Sequence, residues 1–381
     1  MISFWSYKRE YKKSNKKILK KIDQVLLKGN IFFGSELKKF EKNFLLKYSS
    51  KYGIAVGSGT DALYISLKAL NIKNGDEVIT AANTAIPTIS AIVNAGAKPK
   101  LVDVGEDYLI DPLKIEKQIN KMTKAIIPVH LYGQSCDMDK IKKIAAKYKL
   151  KIIEDCAQAQ GAKYKDKFVG NFGDFGCFSF YPTKILGAYG DGGFIIAKNS
   201  KDYEKIKRLR FYGIETSNKK NVYINQYYAN ENGLNSRLDE IQSSILNLKI
   251  KYVNNYISQR KKLANLYLKY LKETNLKLPI TNKNNQHVYH LFTVRHSKRN
   301  FIIKMLNKKK IGTRIIYPFP INSMRGYKKF NFNNNELKNT IKYSKEIFSL
   351  PLHPEIKFTE VKKICDNLKN ILRMIGNEKN F

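Results

Sequence analysis

The sequence is poor in residues that staple a chain or bind metal. Its 381 residues include four cysteines, one tryptophan and five histidines. Cys136, Cys156, Cys177 and Cys365 form no C-x-x-C pair, which argues against a zinc site and against a disulfide framework. Reduced thiols in a cytoplasmic protein are the expectation. No apolar run approaches the roughly 20 residues of a membrane span. The opening segment, MISFWSYKREYKKSNKK, has neither the apolar core nor the small-residue cleavage site of a secretory signal. No membrane association is expected.

Acidic residues are also scarce. The chain has 32 Asp and Glu against 70 Lys and Arg, a formal net charge of +38. Such an excess raises nucleic-acid binding as a function class. The lysines, however, run through every segment instead of forming a stripe or a tail, and they accompany abundant Asn, Ile, Tyr and Phe. No nucleic-acid partner is therefore expected, although the charge would help to attract a nucleotide diphosphate.

A chain of this length exceeds one simple core and predicts two domains. From Gly53 onward, short apolar runs alternate with amphipathic ones. Strands are expected at Val78, in KLVDV, KAIIPVH and KIIED, and around CFSF and GGFIIA. Helices are expected over Lys12–Leu27, from a cap at Ser35 to Lys47, and over Pro87–Asn94, Pro112–Asn120 and Met138–Lys149. This rhythm predicts an α/β fold with a mostly parallel sheet covered by helices on both faces. A long helix from Arg237 towards Tyr270 would lead into a smaller C-terminal α+β domain. There HVYHLFTVR and TRIIY read as strands, and Asn300–Asn307 and Thr359–Arg373 as helices. The boundary is placed near Lys251, giving domains 1–250 and 251–381.

The richest chemistry lies in GDFGCFSFYPTKILGAYGDGG, Gly173 to Gly193, an aromatic run ending in a glycine-flanked loop that carries Lys184. A lysine held there can act as an amine nucleophile once burial lowers its pKa. By itself it reads more readily as one more surface lysine in a turn of a lysine-rich chain; its companions upstream change that. EDCAQAQGA, Glu154 to Ala162, follows a short apolar strand and puts Asp155 at the strand's carboxyl end, where open parallel sheets bind ligands. An aspartate followed by a loop lysine suits pyridoxal 5′-phosphate, because the carboxylate keeps the ring nitrogen protonated and the lysine holds the aldehyde. GSGTDAL, Gly57 to Leu63, opens a helix with small residues, an arrangement that suits a phosphate.

In that order, GSGTDAL, EDCAQAQGA, SFYPTK and GLNSRLDEIQ resemble the DegT/DnrJ/EryC1/StrS family of sugar-nucleotide aminotransferases, from about Gly34 to the C-terminus. NTAIPTISAI, PVHLYGQ, HVYHLFTVR and IGTRIIYPFP resemble the branch that aminates C3 of dTDP-3-keto-6-deoxyhexoses. The resemblance implies the aspartate aminotransferase fold (fold type I), pyridoxal 5′-phosphate as cofactor, L-glutamate as donor and a homodimer with shared sites. Lys184 would then be the catalytic lysine and Asp155 the partner of the ring nitrogen. Gln158 would contact the phenolic oxygen, and Gly59, Thr60 and Ser179 the phosphate. Asn235, in GLNSR, would reach the phosphate held by the neighbouring subunit, or would cap the helix that follows it. Tyr181, Tyr317 and His130 are candidates for the sugar, each also readable as a packing residue. An aromatic ring common in relatives is replaced here by Ala85, an asparagine after the lysine by Ile185, and a histidine before the tyrosine by Ile316. The implied product is a dTDP-3-amino-3,6-dideoxyhexose for surface polysaccharide. The alternatives are amination at C4 of a nucleotide-linked keto sugar, or a regulatory member of the same fold.

Overall fold

A computed structural model describes residues 1–214 and 228–377. Its centre is a seven-stranded sheet. The strands are β1 (Tyr52–Val56), β2 (Glu77–Ala81), β3 (Lys98–Val102), β4 (Thr123–Ile127), β5 (Lys151–Asp155), β8 (Phe175–Ser179) and β9 (Gly193–Ala197), with the two-residue strands β6 (Lys163–Tyr164) and β7 (Lys167–Phe168) lying outside the sheet. The order is β1-β9-β8-β5-β4-β2-β3. The pairs from β8 to β3 are parallel, and β9 is antiparallel to both of its neighbours. The expected mostly parallel sheet is present. Its strands read as nearly continuous apolar runs because both faces are covered.

Register brings the strand ends level. Val56 of β1 and Ser179 of β8 both lie opposite Gly193, and Asp155 of β5 lies opposite Cys177, two residues before Ser179. The chain therefore leaves β1, β5 and β8 along one edge, which becomes the floor of a cavity. One face of the sheet is covered by the helix Gly59–Ala69, whose Leu63, Ile65 and Leu67 join Ile54, Phe175 and Ile195 in one core. On the other face the helix Ser35–Lys47 drives Phe40 and Phe44 into an aromatic cluster. The Phe44 ring lies 4.3 Å from that of Phe194 and 5.6 Å from that of Phe180, the residue that opens the Lys184 loop.

A separate core gathers Leu263, Tyr267, Phe292, Phe348, Leu368 and Ile2 around the two-stranded sheet of β11 (Phe292–Arg295) and β12 (Ile347–Leu350), the short β10 (Asn285–Gln286) pairing with β6 instead. Among the described residues no helix is long and apolar enough to cross a membrane.

Several elements differ from the sequence reading. The first helix spans Tyr7–Lys28, because Ser6 accepts from the Arg9 N–H and Gly29 ends the helix at φ +67°. The helix expected over Pro112–Asn120 stops at Ile115 and continues as a 3₁₀ turn to Gln118, since Thr123 and the Asn120 side chain turn the backbone immediately afterwards. The single long helix is two, Glu240–Lys249 and Val253–Leu271, joined by a 3₁₀ turn at Ile250–Tyr252. It begins after Asp239, which caps the Gln242 N–H at 2.7 Å. The division expected between residues 250 and 251 falls on this turn, and we propose the turn as the boundary. TRIIY forms only a bridge from Arg314 to Ser349, and of HVYHLFTVR only the second half is strand.

Ser35 does not cap its helix. The cap position is Gly34, which offers no side chain, and the exposed N–H groups are taken by a carboxylate from far along the chain. Glu240, buried at 3% exposure, accepts from the N–H groups of Gly34 (3.0 Å), Glu36 (2.9 Å) and Leu37 (2.9 Å). Glu240→Ala leaves three donors buried without an acceptor, each costing about 1–3 kcal/mol. The expected result is a loss of about 3 kcal/mol or more in denaturant unfolding; a loss under about 1 kcal/mol would show that water replaces the carboxylate.

Candidate active site

At the level edge of the sheet lies a cavity of about 460 Å³. Its floor and walls bring together Gly59, Thr60, Asp155, Gln158, Ser179, Tyr181, Lys184 and Tyr317. Eight of the ten residues proposed from the sequence thus meet in one place, contributed by four separate stretches of chain.

Asp155 ends β5 almost wholly buried. Its Oδ1 accepts from the Ala157 N–H at 3.1 Å, and its Oδ2 from the Thr88 hydroxyl at 2.9 Å. The Thr88 hydroxyl also lies 2.9 Å from that of Thr84. Burial raises the Asp155 pKa, against the opposing pull of these hydrogen bonds, Lys184 and His130. A carboxylate in this state is short of a cation, and the protonated nitrogen of a pyridine ring would supply one.

Lys184 is brought into the cavity by a tight loop in which its own N–H bonds to the Tyr181 carbonyl at 2.9 Å. Burial lowers its pKa to about 8, with Asp155 pulling the other way. The amine therefore becomes a free nucleophile from about pH 8 upward, well below the range of an ordinary lysine. Gln158 is held at both ends: its Oε1 accepts from the Tyr132 N–H at 2.9 Å and its Nε2 donates to the Tyr317 hydroxyl at 2.9 Å. Tyr317 therefore sits in a fixed orientation, its pKa raised by burial and by Asp155. Tyr181 stands half exposed at the mouth.

The phosphate end is defined by close approach. Ser58 caps the helix Gly59–Ala69 by accepting from the Asp61 N–H at 3.0 Å. A Cβ on Gly59 would lie 2.7 Å from that of Ser179, so only glycine lets the helix start come this near to β8. The first N–H groups of the helix have no partner within it and stand with the Thr60 and Ser179 hydroxyls at one end of the cavity. An anion fits there.

Two expectations have a different outcome. His130 does not line the cavity. It is fully buried behind β5, where its Nδ1 accepts from the Cys136 N–H at 3.0 Å and its Nε2–H donates to Glu154 at 3.1 Å. Both ring nitrogens are used within the fold, so the substrate role is withdrawn. Asn235 is exposed and lies outside the cavity lining. Its neighbour Ser236 ties that loop to the phosphate end, accepting from the Gly57 N–H at 2.8 Å and donating to Asp61 at 2.6 Å.

The sequence reading missed Thr88, Tyr132 and Gln160. Thr88 stands in NTAIPTISAI, four residues after Thr84, a spacing that places two hydroxyls on one side of a helix start. Gln160 stands two residues after Gln158 in a quoted motif. Nothing in the sequence signals Tyr132, which is buried at φ +60°. Ala85 itself lines the cavity, together with Ile86 and Pro87, as an apolar stretch.

A lysine amine and a buried acid in one cavity, with a helix start at its end, is what an aminotransferase site requires, and residues 12–369 match the DegT/DnrJ/EryC1/StrS aminotransferase family. The chain belongs to that family. It is 41% identical to the dTDP-3-amino-3,6-dideoxy-alpha-D-galactopyranose transaminase of Aneurinibacillus thermoaerophilus, over 96% of this chain and 98% of that one. It is 36% identical to the dTDP-3-amino-3,4,6-trideoxy-alpha-D-glucose transaminase of Micromonospora megalomicea subsp. nigra, over 97% and 98%. The crystal structure of S. venezuelae DesV superposes with a TM-score of 0.92 at 33% identity, covering 97% of this chain and 98% of that one. The fold is that of the pyridoxal-phosphate aminotransferases, and the cofactor of this aminotransferase is pyridoxal 5′-phosphate.

The lowered pKa of Lys184 has a measurable sign. Below about 8 the amine is protonated and cannot attack an aldehyde; above it the amine is neutral. Cofactor uptake by the stripped protein should rise with pH through about 8 and then level off. A rate still climbing towards 10.5, the value of an unperturbed lysine, would mean that Lys184 is solvated.

Proposed function

We propose that this pyridoxal-phosphate-dependent aminotransferase moves an amino group from L-glutamate to C3 of a dTDP-3-keto-6-deoxyhexose, giving the dTDP-3-amino-3,6-dideoxyhexose. The observation that carries the reading is the apolar part of the cavity that holds Lys184. Ala85, Ile86, Pro87, Leu131, Phe319 and Met324 are apolar, which suits a sugar whose C6 is a methyl group. Tyr181 and Tyr317 offer hydroxyls to a ring oxygen or a sugar hydroxyl. The two transaminase relatives carry names of 3-amino sugars, which supports the same carbon.

In this reading the chain's residues divide the work. The bound cofactor supplies an aldehyde that carries the amino group and a protonated ring that draws electrons from the reacting carbon. Asp155 holds the ring proton through its buried carboxylate. Thr88 and the Ala157 N–H keep that carboxylate aimed. Lys184, once free, would take the proton from Cα of the donor and pass it to the cofactor carbon that receives the amino group, and on the sugar's side would run the same exchange in reverse, as general base and then acid; its lowered pKa suits both directions. The helix start at Gly59 and Thr60, with Ser179, binds the phosphate. Gln158 orients Tyr317 and has a second amide hydrogen to give.

The direct test supplies L-glutamate and a panel of nucleotide-linked keto sugars, with the product read by mass and NMR. Amination at C3 of the dTDP-linked 6-deoxy sugar is the expected result. Turnover confined to a C4 ketone would overturn the assignment of position, and turnover confined to an N-acetylated UDP sugar would overturn the argument from the apolar wall.

The same reading makes the protein a homodimer with shared sites, Asn235 serving the phosphate in its partner's cavity. Its exposed position outside its own cavity supports this. Mixing Lys184→Ala chains with Asn235→Asp chains, each poorly active alone, should restore about a quarter of wild-type activity, since about half of randomly mixed dimers hold one intact site of their two. No recovery, with subunit exchange confirmed by mass, would place both residues at the same chain's cofactor.

A further inference from the structure

One buried side chain, unassigned above, bridges the two segments that build the cavity. Gln160 is 1% exposed and lies in the loop after β5, five residues beyond Asp155. Its Nε2 donates to the Ser179 carbonyl at 2.7 Å and to the Leu186 carbonyl at 3.1 Å, and its Oε1 accepts from the Leu186 N–H at 2.8 Å. Ser179 ends β8 before the lysine loop, and Leu186 follows Lys184 by two residues. One carboxamide thus grips both sides of the loop and satisfies three backbone groups.

We propose that Gln160 is a positioning residue, whose carboxamide clamps the base of the Lys184 loop and holds the amine in its buried place near Asp155. The proposal rests on Lys184 being the amine that takes the cofactor. The geometry needs an amide in particular. Two hydrogens on nitrogen serve two carbonyls, and one oxygen serves an N–H. A carboxylate would set oxygen against two carbonyl oxygens. A neutral imidazole has one donor and one acceptor and could meet two of the three groups. A leucine would leave all three unsatisfied. The second observation is the anchoring of the other side: the Ala188 N–H bonds to the Phe180 carbonyl at 2.8 Å, and the Tyr189 N–H to Gln242 at 2.9 Å. The loop is therefore closed independently beyond Leu186, and losing the Gln160 clamp frees the segment carrying Lys184 without unravelling the strands.

The readout is the proton equilibrium of the lysine amine. Asp155, Asp191, Tyr181 and Tyr317 line the same cavity, and His290 is buried close enough for Lys184 to help push its pKa well down. None of these is altered by a change at Gln160. Full-length protein is stripped of cofactor, and its uptake of pyridoxal 5′-phosphate is followed by visible absorbance across pH. The wild type should show a midpoint near 8. In Gln160→Leu the loosened loop lets water reach the amine, so the midpoint should rise by about one unit or more, and uptake at pH 7 should slow about 10-fold. Gln160→His, which keeps one donor and one acceptor, should lie between, and it decides the question if the leucine variant does not fold. An unchanged midpoint in the variants that fold, whatever their melting temperature, would make Gln160 a structural residue only and overturn the proposal. Borohydride reduction and peptide mapping of the loaded wild type separate the two readings: a label on any lysine other than Lys184 overturns the site assignment itself, whereas a label on Lys184 leaves the Gln160 proposal to stand or fall on the midpoints.

Discussion

A carboxylate taken out of water without a full counter-charge is the constraint on which the site depends. Asp155 and Glu154 are consecutive residues at the end of β5, and their side chains leave opposite faces of the strand. The fold answers the two charges differently. Glu154 receives the N–H groups of Gly170 (2.8 Å), Phe172 (2.6 Å) and Gly173 (2.8 Å) together with the His130 ring. Its demand is met entirely from within, and it fixes the segment that leads into β8. Asp155 receives two hydrogen bonds and faces the cavity. The difference between neighbours separates an acid that builds the floor from an acid that waits for a ligand.

The same economy governs the lysine. Its loop rests on the aromatic cluster where Phe40 and Phe44 pack against Phe180, and Ile185 and Leu186, the residues after the lysine, join the same core. The sheet register puts the carboxyl ends of β1 and β8 level and that of β5 two residues behind them, so the phosphate end, the ring acid and the amine need no long loops to meet. Preorganisation of this kind places the cost of holding charged groups in the fold itself, before any substrate arrives.

Much of the fold and the cofactor side of the site was legible in the sequence, because the signals there are local. Apolar runs with helical segments between them give the sheet, and the Gly-Ser-Gly turn, the strand-ending Asp155 and the loop-borne Lys184 each sit at an element boundary that composition reveals. What was not legible depends on partners distant in sequence. His130 reads as a ligand-side residue until Cys136 and Glu154 are seen to take both of its nitrogens. Ser35 reads as a cap until Glu240 supplies the acceptor. Tyr132 owes its role to the Gln158 side chain, which accepts from its N–H, and Gln160 to backbone groups of the lysine loop; a side chain's choice of a remote backbone group leaves no periodic trace. TRIIY has the composition of a strand, yet its second half turns into the cavity wall, where Ile316 accepts from the Tyr132 hydroxyl and Tyr317 meets Gln158.

The carboxylate at the start of the helix Ser35–Lys47 also bears on how the chain is made. During synthesis the helix emerges early, but the group that completes its first turn lies about two hundred residues downstream. Until that stretch leaves the ribosome, the helix has an unfinished end and the aromatic cluster it carries has no fixed roof. A chain with such a distant closure gains its stability late and cooperatively. A truncation between the lysine loop and Glu240 would keep Asp155 and Lys184 but lose Tyr317 from the cavity and the tie that makes their platform rigid.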